Sequence, residues 1–365
     1  MDQSLERFIK GMPKIELHLH IEGTLEPEMM FALAQDNGIQ LPFANVEEVK
    51  EAYKSYDGLK EFIPLYLGGM NVLQTEQDFY DLTMAYLKKV KSQNVTHTEI
   101  FFDPQGHTSR GVAFETVING IHRALKDGER DLGISSKLIM SFLRDLSEAD
   151  AFDTLKQAMP HMDKIDGFGL DNPELGHPPS KFERVFAECR KTGKPVVAHA
   201  GEEGPPEYVR EARDLLKVSR VDHGDRSLED PALVKDLVAE GMGLTVCPVC
   251  KVKLKQSSII NAEGKPDMKL HQLKTMLDLG LKATVNSDDP GYFSAYITEN
   301  FLAVAEALNL TRDDIVQLSR NAIDISFLSP EEKKQKHGEL DTYIKRADII
   351  EARINSSAGT LLQAM

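Results

Sequence analysis

Tryptophan is absent from the 365 residues, cysteine occurs three times, and no stretch approaches the roughly 18 uninterrupted apolar residues of a membrane-crossing helix. Cys189, Cys247 and Cys250 are too few, and odd in number, for a disulfide framework, which fits a reducing compartment. Cys247-Pro248-Val249-Cys250 spells a C-x-x-C. Neither the strand-then-helix setting of a thioredoxin-type site nor the second ligand pair of a zinc knuckle is read beside it. Long basic runs are also missing. With 43 Lys and Arg against 58 Asp and Glu the formal net charge is −15, so nucleic acid and anionic membranes are excluded as expected partners. The first ten residues hold no apolar signal-like core, and a cytoplasmic location is expected.

What is present is the composition of an ordinary globular chain, 41% hydrophobic and 28% charged. Eight short β-branched or apolar runs stand out, at 15–20, 95–103, 137–144, 165–171, 195–199, 219–223, 243–247 and 282–287. Amphipathic helical patterns alternate with them, among them 181–191, 206–216, 231–240 and 269–279. That alternation predicts a (β/α)8 TIM barrel, with a doubly wound sheet as the rival. Titratable residues close several of the runs, which favours the barrel, because a barrel gathers its strand C-terminal ends around one mouth.

A helical insertion after the first strand, about 27–91, is placed to cap that mouth, with Pro27 near a helix start and Gly38 at its end. Within it Phe62, Leu65 and Leu67 read as a buried packing stripe in preference to an apolar wall over a substrate. Residues from about 329 to 365 read as a peripheral C-terminal helix. No repeat, low-complexity tract or linker interrupts the chain, so 1–365 is expected to be a single domain.

The chemistry gathers at the run ends. His18-Leu19-His20 places two imidazoles on one side of a strand, and imidazole nitrogen suits zinc and similar metals. His199-Ala200-Gly201-Glu202 adds a third imidazole, with a carboxylate three residues on in the position of a general acid or base. A helix-N-terminal carboxylate is the bland alternative for Glu202. Asp222-His223-Gly224 adds another imidazole. Ser287-Asp288-Asp289-Pro290 adds adjacent carboxylates, whose repulsion is relieved if one binds metal and the other substrate; a helix cap or turn role is open for either.

These four motifs, in this order, resemble the adenosine and adenine deaminase family of zinc-dependent barrel hydrolases, over residues 10–340. Phe101-Phe102-Asp103-Pro104-Gln105, His107-Thr108-Ser109-Arg110-Gly111, Gly176-His177-Pro178-Pro179 and Glu202-Glu203-Gly204-Pro205-Pro206 are similar to its adenine deaminase branch. The resemblance implies one Zn2+ held by His18, His20, His199 and Asp288, with Glu202 as proton donor to purine N1. It further implies that His223 orients or deprotonates the attacking water and that Asp289 holds the base through N7. The implied reaction is hydrolysis of adenine to hypoxanthine and ammonia, a step of purine salvage on a small-molecule purine base.

Two departures fall just past barrel strands: Asp225 where an aliphatic residue precedes the arginine, and Val249-Cys250-Lys251 where a Leu-Ser-Asn-like triplet is usual. Asp225 is open between a turn residue at the rim and a determinant admitting an N6 substituent. Asn172-Pro173 after Asp171 falls where the purine edge is expected. The alternatives are a deaminase of N6-substituted adenine or of adenosine, a silent purine- or metal-binding relative and, more distantly, an amide or lactone hydrolase. Retention of Glu202 beside His223 argues against a silent relative.

Overall fold

The computed structural model describes residues 1–55 and 57–363. Eight parallel strands appear where the eight runs fall: β1 Lys14–Glu16, β2 Val95–Phe102, β3 Ser135–Leu143, β4 Gly167–Asp171, β5 Val197–Ala200, β6 Arg220–His223, β7 Gly243–Val246 and β8 Lys282–Val285. Sequential strands pair side by side in two groups of four, β1 to β4 and β5 to β8. Single bridges join the groups into a TIM barrel. Phe168 N donates to Pro195 O at 3.1 Å between β4 and β5, while Asp288 N donates to His18 O at 3.2 Å and His20 N to Asp288 O at 3.0 Å at the seam of β8 and β1. The strands are buried on both faces, which is why they read as continuous apolar runs.

Local sequence signals set the connecting helices. Asp230 caps the helix Pro231–Glu240 by accepting from Ala232 N and Leu233 N, Pro231 opens it, and Gly241 at φ 65° closes it. The predicted helix over 269–279 is shorter. A 3-10 turn occupies Met268–Leu270, His271 is extended, and the helix proper begins at Leu273. The pattern over 206–216 divides into a helix at Pro206–Glu211 and a wider turn at Ala212–Leu216. The helix Pro330–Gln363 covers most of the expected C-terminal segment, and its Leu340 and Ile344 pack beside Ile15 and Leu17.

Helix α1 (Gln3–Gly11) precedes the barrel, and four helices separate β1 from β2: α2 Pro27–Asp36, α3 Val46–Ser55, α4 Leu59–Met70 and α5 Glu76–Lys91. Gly69 lets α4 approach Tyr292, since a Cβ there would collide with the phenol oxygen. The packing stripe expected on α4 is present: Phe62 is buried in the core, and Leu65 and Leu67 pack against it. Phe62 has a second role, since with Leu59, Ile63 and Tyr66 it also forms one wall of a cavity at the barrel mouth.

Inside the barrel, below that mouth, lies a buried ion pair. The Arg220 guanidinium donates to Glu99 and, at 2.9 Å, to the Leu17 carbonyl, and it lies 4.4 Å over the Phe327 ring. His97 stands 3.2 Å from the same Glu99 carboxylate. Burial opposes the charge, yet Arg220 and His97 hold the Glu99 carboxyl down to about 2.

Candidate active site

The strand ends bring the sequence-marked imidazoles and carboxylates together around one point. His18 Nε2 lies 3.2 Å and His20 Nε2 3.4 Å from Asp288 Oδ1, and His20 Nε2 lies 3.2 Å from His199 Nε2. His223 belongs to the same cluster: donor atoms of His18, His199, His223 and Asp288 all lie within 4.8 Å of one another. Five groups therefore converge where the sequence marked four as ligands. All are buried, and Phe101 forms the floor, with its ring centroid 5.0 Å from those of both His18 and His20.

The backbone is bent to aim them. His223 and Asp288 both hold φ 64°, a left-handed conformation costing a non-glycine residue about 1–3 kcal/mol, which the surrounding contacts must offset. Gly23 is required in the turn after β1, because any Cβ there would strike the Asp289 carboxylate.

The far nitrogens of His199 and His18 are fixed. His199 Nδ1 donates to the Leu170 carbonyl at 3.0 Å. His18 Nδ1 donates to Thr245 Oγ1 at 2.9 Å, and that hydroxyl in turn donates to Asp222 at 2.8 Å. Each bond places the proton on Nδ1 and leaves the Nε2 lone pair facing the cluster, as a metal ligand requires. His18 Nε2, fully buried, faces the Asp288 carboxylate but forms no hydrogen bond to it. A close-set group of neutral imidazoles and one carboxylate, with lone pairs converging, fits a divalent cation of zinc-like preference.

The electrostatics separate the two adjacent aspartates. Burial opposes ionisation of Asp288, but His18 and its neighbours hold the carboxyl well below the usual range. Burial, then the charge of Asp288, pushes Asp289 well up. Asp289 makes no capping bond to the helix that follows it, and its Oδ1 is unpaired, so the helix-cap alternative is not realised. Burial, followed by Asp288 and Glu203, pushes the Glu202 carboxyl well above the carboxylate range, while burial and His18 bring His223 down to about 4.

Glu202 does not begin a helix. It lies in a turn before Pro206, and its side chain faces a cavity bordered also by His20, His199, His223, Asp288, Asp289, Asp103 and Asp171. The turn is held by a residue that the sequence motifs did not mark: Glu174 accepts from the backbone N of Gly201 at 3.0 Å, Glu202 at 2.9 Å and Gly204 at 2.9 Å. Arg144 was likewise unmarked, and donates to the His199 carbonyl at 2.6 Å. Both follow strands directly, β4 and β3, and that position was the one available signal.

Asn172 reaches the cavity as expected, with a left-handed φ of 72° and its amide donating to Asp145 at 2.7 Å. Asp225 does not stand at the rim. It is 1% exposed and lies 3.0 Å from Lys251 Nζ, itself 1% exposed, so the Asp225 and Lys251 departures meet as a buried ion pair outside the cavity wall. The C-x-x-C is also corrected: Cys247 does sit at a strand-to-helix junction, between β7 and the helix Pro248–Lys253. Both thiols are nonetheless buried, and burial pushes them well up, the opposite of a reactive thiolate.

A parallel barrel with a buried imidazole and carboxylate cluster at its C-terminal mouth is the architecture of a metal-dependent hydrolase. The chain belongs to the adenosine deaminase family, whose profile matches residues 13–343. It is 58% identical over 336 residues to an adenine deaminase of Sphingopyxis alaskensis, covering 92% of this chain and 96% of that protein. Among solved structures, adenine deaminase from Arthrobacter aurescens superposes with a TM-score of 0.88 at 46% identity, covering 92% of this chain and 100% of the other. A Burkholderia ambifaria amidohydrolase with bound Zn superposes with a TM-score of 0.85 at 26% identity, covering 96% of each chain.

Proposed function

We propose that this protein hydrolyses adenine to hypoxanthine and ammonia, the whole chain acting as one catalytic unit, with zinc held by His18, His20, His199 and Asp288. The observation that carries the proposal is the meeting of Glu202, His223 and Asp289 with the imidazole cluster around a single cavity. Adenine deaminases of such high identity over nearly full length support the substrate, and the zinc in the Burkholderia relative supports the metal. When bound, zinc supplies the Lewis acidity that makes water a nucleophile near neutral pH.

The side chains supply the rest. An amino-substituted aromatic ring is a poor electrophile, so electron density must leave it as the nucleophile adds at C6. Glu202, carrying its proton because burial raises its pKa, donates to N1 and removes that density. His223, neutral because burial lowers it, accepts a proton from the attacking water. Asp289 in its carboxylic acid form donates to N7 and fixes the ring in register. His223 passes the proton it took from water to the exocyclic nitrogen, which leaves as ammonia, and the proton of the new C6 hydroxyl returns to Glu202, leaving the 6-oxo purine with both residues restored. The aliphatic and aromatic wall of α4 covers the ring face and keeps bulk water out.

Ammonia release by the zinc-loaded protein against adenine, adenosine and an N6-alkyl adenine in parallel is the direct test. Adenine is expected to lead in kcat/KM by orders of magnitude; preference for either competitor would replace the substrate, and silence on all three with zinc bound would remove the activity. No described helix is long and apolar enough to cross a membrane. Together with the acidic charge and the few cysteines, this supports a cytoplasmic enzyme acting on a free purine base rather than on a polymer or at a membrane.

A further inference from the structure

Glu202 has two carboxyl oxygens in different surroundings. Oε1 lies 2.6 Å from the amide Nε2 of Gln256 and 3.7 Å from Cys250 Sγ, whereas Oε2 lies 3.4 Å from His223 Nε2. An amide N–H can only donate, so Oε1 is an acceptor in this arrangement and a proton carried by Glu202 resides on Oε2. Gln256 is buried and sits between the helix Pro248–Lys253 and a short 3-10 turn at Ser257–Ile259. Its backbone N donates at 3.1 Å to the carbonyl of Lys251, the residue whose ammonium is buried against Asp225. Contacts therefore run unbroken from Asp225 after β6, through Lys251 after β7, to Gln256 and on to Glu202.

We infer that Gln256 is a positioning residue for Glu202, holding Oε1 so that the proton to be donated stays on Oε2, and that the buried Asp225–Lys251 pair is the brace that sets Gln256 at that distance. The inference rests on the reading of Glu202 as the proton donor. It also accounts for the two charged departures together: either charge alone would be uncompensated in a buried site, and as a pair they tie the turn after β6 to the helix after β7. Cys250 shares the same face of Glu202 and closes it to water without competing as a strong donor.

The test is a double-mutant cycle on the full-length, zinc-loaded enzyme with adenine: wild type, Q256M, E202Q and E202Q/Q256M, each with zinc content and thermal midpoint measured. Q256M keeps the length of the side chain and removes the donor. It is expected to lower kcat about 10-fold while KM and zinc content stay near wild type. In the E202Q background it is expected to cost nothing further, because the proton it places is gone. Wild-type kcat in Q256M, or a full additional loss on top of E202Q, overturns the inference. Wild-type turnover in E202Q alone overturns the reading of Glu202 instead, so the two failures are distinct. Should Q256M not fold, D225N/K251M carries the test by neutralising both ends of the brace: a several-fold lower kcat with zinc retained is expected, and unchanged kcat overturns the inference.

Discussion

Two buried polar layers occupy the same barrel, and they differ in whether the protein completes their carboxylates. In the lower layer, Glu99 receives Arg220, faces His97 and accepts from the Phe327 backbone N at 2.5 Å, so both carboxylate oxygens have partners within the chain. In the upper layer Asp103 Oδ1, Asp171 Oδ1 and Asp289 Oδ1 are buried without a hydrogen-bond partner, and His18 Nε2 faces the Asp288 carboxylate without forming a hydrogen bond to it. Buried polar atoms are costly when unmatched, so a carboxylate that the chain itself satisfies, as it does Glu99, is there for the fold, and carboxylates left open are there for something that arrives. The pKa directions agree. Glu99 is held charged by its partner, while Glu202 and Asp289 are pushed toward the neutral, proton-carrying form.

That contrast can be broken from either side. His18→Ala should abolish metal binding and turnover together; a full zinc equivalent in the variant, measured by atomic absorption, would remove His18 from the ligand set. Glu202→Gln should lower kcat about 10²- to 10⁴-fold while zinc content and thermal midpoint stay near wild type. In the lower layer the effects should exchange places. Glu99→Gln should cost about 3–5 kcal/mol of stability in urea titration, by leaving Arg220 buried without its counter-charge, yet leave kcat of the folded fraction within a few-fold of wild type.

The pH dependence of stability sharpens the same point. Glu99 is depressed from an ordinary 4.5 to about 2, so its stabilisation is fully present above pH 4.5 and is lost as the pH falls toward 2. Wild-type stability should fall by about 3 kcal/mol more than that of the Glu99→Gln variant across that interval, and parallel curves would show that Glu99 is not the group responsible. The smallest effect belongs to the wall. Phe62→Ala should raise KM for adenine about 3- to 10-fold with kcat little changed, because it removes apolar contact and no proton.

The upper layer was legible in the sequence to the extent that its residues are local to one another. His18 and His20 share a face because strand periodicity is two, and Asp288 and Asp289 are adjacent, so each pair announces itself within a few positions. Glu174, Arg144 and Gln256 act on residues 27 to 55 positions away, and nothing in their immediate neighbourhood says so. The eight strands were legible because burial on both faces gives an unbroken apolar run, as was the packing stripe of α4, whereas the second role of Phe62 in lining the cavity depends on the rim that α4 lies across. Asp225 stayed open between a turn residue and a substrate determinant for the same reason: its partner Lys251 is in the helix after the next strand, and only the pairing of β6 with β7 brings the two segments into contact.

The seam of the barrel has a consequence in time. Asp288 bonds through its backbone to both His18 and His20, so the first and last strands are joined by the residues proposed to hold the metal. A nascent chain leaving the ribosome has made His18, His20 and His199 well before Asp288, and until that residue emerges the imidazoles have neither the carboxylate nor the strand that closes the ring. Closure of the fold and completion of the ligand set are then one event. A truncated product of interrupted synthesis would be left with imidazoles too loosely arranged to retain a metal ion, and the activity would appear only in molecules whose synthesis had passed the eighth strand.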